Sequence, residues 1–151
     1  MKMSDDGFTF QVCRTADEFK SAEDGFNAVV DGLGRNITLN TGDVELARTV
    51  QVYLRDGDNR VLGGVVGHFF GGWLNVSLLW VDEGFRNRGY GSSLLRMIEG
   101  EAVKAGCRYA HLDTYSFEAR PFYEKHGYSL FATLDDYPVG FSKYFLKKKL
   151  V

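Results

Sequence analysis

The chain has 151 residues, a formal net charge of −2, ordinary apolar (44%) and charged (25%) fractions and only two prolines. That length suits one compact α/β domain able to bury roughly two thirds of its unfolded surface; two domains would each be cramped, and disorder is not indicated. The charge balance lacks the basic excess that gathers nucleic-acid phosphates, so a nucleic-acid binder is disfavoured.

No apolar run approaches a membrane span, and the first six residues lack the apolar centre of a leader, so a cytoplasmic protein without membrane attachment is expected. Cys13 and Cys107, far apart in sequence, read as reduced buried thiols.

A first strand is expected over 8–13. Thr15 or Asp17 then caps a helix whose Phe19, Ala22, Phe26, Val29 and Val30 share one stripe, with Gly32 and Gly34 expected to stop it. The stretch 34–48 is the least legible; Ile37-Thr38-Leu39 reads as a short strand and 40–45 as loop. A hairpin follows, with strands over 50–54 and 61–70 around the turn Asp56-Gly57-Asp58-Asn59, and Gly71-Gly72 turns the chain into a strand over 73–81.

That last strand changes phase. Leu74, Val76 and Leu78 alternate with Asn75 and Ser77, and then Leu79 and Val81 continue one residue out of step. A β-bulge produces this pattern; so does a strand end buried on both faces.

A helix over 89–105 carries the stripe Leu94, Leu95, Ile98, Ala102 and Val103 and ends at Gly106. A strand over 109–114, a short helix over 119–126 with Pro121 in its first turn, a strand over 128–133, a loop over 134–138 and a last strand over 142–150 complete the chain. The run Lys147-Lys148-Lys149 reads as a solvated strand end. A helix joins the strands at 73–81 and 109–114, so these two should be parallel with a right-handed crossover. The others should be antiparallel hairpin neighbours, giving a mixed sheet with helices on both faces.

The chemistry is concentrated in Val81-Asp82-Glu83-Gly84-Phe85-Arg86-Asn87-Arg88-Gly89-Tyr90-Gly91-Ser92-Ser93. This is a strand, a glycine-rich turn and the start of a helix. A helix start offers unpaired N–H groups and partial positive charge. Gly89 and Gly91 let an anion approach the backbone, Arg86 and Arg88 add charge, and Ser92 and Ser93 add hydroxyls. Together they read as a pyrophosphate site. A dinucleotide fingerprint needs a third glycine, and an NTPase loop needs Gly-Lys-Ser/Thr; both are absent.

Arg86-x-x-Gly89-x-Gly91 before an amphipathic helix resembles the cofactor motif of the GNAT superfamily of acetyl-CoA-dependent N-acetyltransferases. Val81, five residues before the arginine, and the later Ala119-x-x-x-Tyr123-x-x-x-Gly127-Tyr128 match that superfamily in order and spacing. The likeness covers most of the chain and is weak before Val50; it also favours the bulge. It implies a GNAT-like α/β fold: a mixed, mostly antiparallel sheet of six to seven strands, helices on both faces, and a parallel, splayed central strand pair.

The resemblance further implies acetyl-CoA as cosubstrate, its pyrophosphate on backbone amides of Asn87, Arg88, Gly89, Tyr90, Gly91 and Ser92, and its pantetheine arm alongside Leu79, Trp80 and Val81. A backbone N–H in that strand end would stabilise the oxyanion, and Tyr123 would be the general acid at sulfur. Ser116 stands where many members have a pantetheine-supporting asparagine, and could donate a hydrogen bond or cap the helix. Asn75 stands where some members have a carboxylate base. The base is therefore open among His68, His111, Asp113 and water. No metal is implied, because His68, His111 and His126 lack ligand spacing.

The acceptor is expected to be a primary amine on a small molecule. A protein or peptide amine and a non-catalytic acyl-CoA-binding domain are the competing readings. Asp43, Asp135 and Asp136 would favour a cationic acceptor if they face the site. Exposed sheet edges leave room for a homodimer.

Overall fold

A computed structural model describes residues 2–3, 9–42 and 48–151. The chain divides into two compact units, Met1–Val44 and Glu45–Val151.

In the first unit, β1 (Lys2–Met3) pairs antiparallel with β2 (Thr9–Phe10), followed by α1 (Ala16–Ser21) and α2 (Glu23–Thr41). The strand expected over 8–13 is thus only two residues long. Thr15 caps α1 through a capping box: its hydroxyl accepts from Glu18 N–H at 3.3 Å, and the Glu18 carboxylate accepts from Thr15 N–H at 3.0 Å.

Gly32 and Gly34 do not stop the helix. A glycine inside a helix costs only about 1 kcal/mol, and it terminates one only where the backbone turns to positive φ. That happens at Gly42, with φ +75°. Residues 37–39, expected as a strand, and 40–41, expected as loop, are therefore helical. The rest of that loop, at 43–47, lies outside the described residues.

The second unit is a six-stranded sheet: β3 (Arg48–Arg55), β4 (Val61–Phe70), β5 (Trp73–Val81), β6 (Tyr109–Tyr115), β7 (Ser129–Asp135) and β8 (Ser142–Lys149), in the order β3-β4-β5-β6-β8-β7. A 3-10 turn (Glu83–Phe85) and α3 (Tyr90–Lys104) join β5 to β6, and α4 (Arg120–Lys125) joins β6 to β7. Among the described strands β5 and β6 are the one pair of parallel neighbours, as the crossover rule requires. Hairpin-neighbour order fails at one place: β8 lies between β6 and β7. The crossover through α4 carries the chain one strand outward, and the β7–β8 hairpin folds back into the vacant slot.

The core lies between α3 and one face of the sheet. Leu74, Leu95, Ile98, Leu112 and Leu146 are fully buried there, each worth roughly 1.5–3 kcal/mol. Val103, expected in the α3 stripe, is exposed, because it lies a further 100° round the helix from Ala102. Glu99 is buried instead. It accepts from the Tyr128 hydroxyl at 2.9 Å and pairs with Lys148 at 2.8 Å. Lys148 is therefore not simply a solvated strand end; strand alternation turns it toward α3.

The phase slip in β5 is a bulge. Val66 pairs with Leu78 but Gly67 with Val76, leaving Ser77 as the extra residue. Leu74 and Val76 before it, and Leu79 and Val81 after it, pack toward the core. Leu78 and Trp80 are 65% and 50% exposed, so the strand end is not buried on both faces. Gly67 fits opposite the bulge because a Cβ there would stand 2.7 Å from the Asn75 carbonyl oxygen.

Candidate functional site

Beyond the bulge the two parallel strands part. Their register runs from Trp73↔Tyr109 to Val76↔Leu112 and stops. β5 continues to Val81 beside β4 alone, and β6 to Tyr115 beside β8 alone. A wedge-shaped gap opens between them, edged by Leu79, Trp80 and Val81. It exposes strand backbone to which an extended chain can add.

The start of α3 follows from the end of β5. Asn87 and Gly89 adopt φ +60° and +82°, and Gly89 is the N-cap with no side-chain capping bond. The first helical bond runs from Ser93 N–H to Gly89 C=O at 3.0 Å, so the N–H groups of Tyr90, Gly91 and Ser92 point out of the helix end. Ser92 is half-buried and Ser93 exposed at that end. A Cβ at Gly91 would make ordinary contact, 3.6 Å from the Phe122 ring and 4.0 Å from Val81 Cγ2. Arg86 does more than add charge, since its Nε donates to the Val81 carbonyl at 3.0 Å and pins the strand end. The Arg88 guanidinium lies 5.4 Å over the Phe85 ring.

Tyr123, on α4, is buried against Phe122 and Tyr128. Among the described residues no hydrogen bond reaches its hydroxyl. Burial raises its pKa to about 12, with Glu118 and Asp113 pushing the same way. It carries its proton at neutral pH.

On the sheet face opposite α3, His111 and Asn75 are register partners one step before the strands part. The Asn75 amide nitrogen lies 3.3 Å from Nδ1 and 3.4 Å from Nε2 of His111, and the bulged Ser77 donates to the Asn75 oxygen at 2.7 Å. The His111 ring packs edge-on to Trp73 at 5.9 Å. His68, Trp73, Asn75 and His111 line a cavity of about 320 Å³. The other two base candidates are already engaged. Asp113 pairs with Lys143 at 2.8 Å, and His68 Nδ1 is 3.1 Å from the Thr49 hydroxyl.

Ser116 does not cap α4, whose N-cap is Ala119 without a side-chain bond. Its hydroxyl accepts from Ser142 N–H at 3.1 Å and ties the end of β6 to the start of β8. Asp135 accepts from the Ser142 hydroxyl and Asp136 from Gly140 N–H, so both close the β7–β8 turn. Cys107 is buried, which raises its thiol pKa, and Cys13 is partly exposed; both are free. Among the described residues no group of three potential ligands could hold a metal.

Sequence reasoning missed the rim of the gap. Glu118 accepts from the Thr114 hydroxyl and Tyr115 N–H, which sets the turn into α4. Tyr115 stacks on Phe117 at 5.2 Å and on Tyr137 at 6.2 Å, with the Lys143 ammonium over Tyr115 and Tyr137. The Glu118 spacing was visible in the sequence. Lys143 was not, because its place depends on β8 lying beside β6.

Residues 48–130 match the family described as Acetyltransferase (GNAT) domain, more than half of the chain. The chain belongs to this family. A blasticidin-S acetyltransferase of Streptomyces morookaense is 44% identical over 89 residues, 58% of this chain and 65% of that protein, so the match spans less than two thirds of this GNAT relative. An acetyltransferase of Agrobacterium fabrum (strain C58 / ATCC 33970) is 40% identical over 102 residues, 68% of this chain and 74% of that protein. The crystal structure of an acetyltransferase from Bacillus cereus ATCC 14579 shares 34% identity and superposes with a TM-score of 0.77, covering 93% of this chain and 97% of the other. These likenesses agree with the mixed sheet and splayed strand pair described above.

Proposed function

We propose that this chain is an acetyl-CoA-dependent N-acetyltransferase whose acceptor is a primary amine on a small molecule. The observation that carries this reading is the wedge between β5 and β6, which opens along the end of β5 that leads into the uncapped start of α3. The blasticidin-S acetyltransferase likeness, a small-molecule enzyme by its name, supports the acceptor class. The residues fit the cosubstrate: three outward N–H groups and positive φ at Asn87 and Gly89 suit a pyrophosphate, and the freed edge of β5 suits an extended arm.

When bound, acetyl-CoA supplies an activated acetyl group as a thioester. The N–H groups of Tyr90, Gly91 and Ser92 would hold its pyrophosphate. Leu79, Trp80 and Val81 align the arm through their backbone and aim an N–H at the carbonyl oxygen. Tyr123 delivers a proton to sulfur, which its raised pKa permits because the proton is present throughout the neutral range.

Free-thiol release from acetyl-CoA, measured against polyamines, aminoglycosides, amino acids and lysine peptides, tests the reading. Release that depends on one small-molecule amine is the expected result. Release with lysine peptides alone overturns the acceptor class. Tight coenzyme A binding with no release in the presence of any amine points to a non-catalytic binding domain.

A further inference from the structure

We propose that His111 takes the proton from the acceptor amine and that Asn75, held by Ser77, positions its ring; this rests on the N-acetyltransferase reading above. His111 is paired with Asn75 one register step before β5 and β6 part, so its ring stands at the apex of the wedge. With His68, Phe70, Gly71, Trp73 and Asn75 it lines a cavity of about 320 Å³ beside the β4–β5 turn.

The other candidates are less suited. Asp113 is neutralised by Lys143. His68 is on β4, separated from the gap by β5, and is bound to Thr49. Asn75 has no titratable proton acceptor. Burial lowers the His111 pKa below its usual value, and Asp113 offsets this only in part. The ring is therefore neutral at pH 7 and able to accept a proton.

The surrounding groups define the titration. His68 lines the same cavity from β4, Asp113 and Tyr109 lie two residues to either side on β6, and Lys147 is its register partner on β8; from β5 the ring meets Trp73 and Asn75, neither of them titratable. Asn75 suits both states of the ring. Its NH₂ donates to an unprotonated ring nitrogen, and a half-turn presents its oxygen to an imidazolium N–H. The Ser77 hydroxyl accompanies either arrangement because a hydroxyl both donates and accepts. The bulge that opens the wedge thereby also steadies the base.

The step balances as follows. An ammonium proton passes to His111, and the freed lone pair forms the C–N bond to the acetyl carbon. The C–S bond breaks with its electron pair on sulfur, which takes the Tyr123 proton. The surplus proton on nitrogen restores Tyr123, and His111 releases its proton to solvent.

The test measures kcat/KM against pH for the fastest amine of the panel above, in wild type, His111→Asn and Asn75→Asp, with Tm and coenzyme A affinity measured alongside. In wild type, activity should fall as pH drops through a value below 6.5, because protonated His111 cannot act as base. His111→Asn should lose roughly 10²-fold or more at neutral pH and abolish that limb, with coenzyme A affinity unchanged. Asn75→Asp places a carboxylate against the ring and should move the limb up by about one unit or more, a shift that a merely structural role would not produce. A His111→Asn protein that keeps both rate and limb overturns the proposal and leaves water as the proton acceptor. A His111→Asn protein that loses its Tm together with its activity, with no limb shift in Asn75→Asp, also overturns it and makes His111 structural. A wild type that transfers to no amine overturns the function itself, and the base with it.

Discussion

Tyr123 and Tyr128 offer a crossed experiment, because both are buried on the same core and only one is bonded. The Tyr128 hydroxyl donates to the Glu99 carboxylate at 2.9 Å, and a hydrogen bond to a charged group is worth about 1.5–3 kcal/mol. Tyr128→Phe should therefore lower Tm by about 4–10 °C in a chain of this size, with turnover nearly unchanged. Among the described residues the Tyr123 hydroxyl has no hydrogen-bond partner to lose, so Tyr123→Phe should cost less than about 0.5 kcal/mol. Its effect should fall on kcat, by roughly 10²- to 10⁴-fold, with coenzyme A affinity retained. Calorimetric Tm and thiol-release kinetics on the two variants give four numbers. A Tyr123→Phe protein with lowered Tm and intact kcat would refute the reasoning, since the hydroxyl would then be structural.

The same ring predicts alkaline behaviour: its pKa is raised in the folded state to about 12, so its contribution to stability is complete below the unfolded value near 10 and disappears as pH rises through 12. Denaturant midpoints measured from pH 9 to 12 should fall less steeply in Tyr123→Phe. Gly91→Ala adds a methyl at ordinary contact distance from Phe122 and Val81 and should leave coenzyme A binding intact, whereas Gly91→Trp should abolish it in isothermal titration. Gly67→Ala drives a methyl to 2.7 Å from the Asn75 carbonyl oxygen and 2.9 Å from Leu74 and Ile98; it should cost about 3 kcal/mol by denaturant unfolding. Glu99→Ala strands the Lys148 ammonium and the Tyr128 hydroxyl and should cost about 3 kcal/mol in the same assay.

The residues of the second unit announced themselves where local chemistry and burial agree. The bounds of β4 and β5, the start of α3 at Gly89 and the turn at Asp56 follow from alternation, glycine placement and turn chemistry, all short-range. The bulge showed as a phase slip at Leu79, although the strand register identifies Ser77 as the extra residue. The long α2 was misjudged because a glycine stops a helix only if the backbone turns there, and sequence does not record φ. The partners of Asp113, Ser116 and Lys148 were hidden because each depends on β8 entering beside β6, a pairing across some thirty residues that no local pattern encodes. The sequence left the base open among three side chains and water, because the partners of Asp113 and His68, Lys143 and Thr49, come from other strands.

The most direct test of the cosubstrate site is amide mapping by NMR. Titrating coenzyme A into the labelled protein should shift the amides of residues 87–92 and 79–81 first and most, with Gly91→Trp removing the response. Shifts confined to other parts of the sheet, or a response that survives Gly91→Trp, would contradict the assignment of the α3 start and the splayed β5 edge as the cosubstrate cradle.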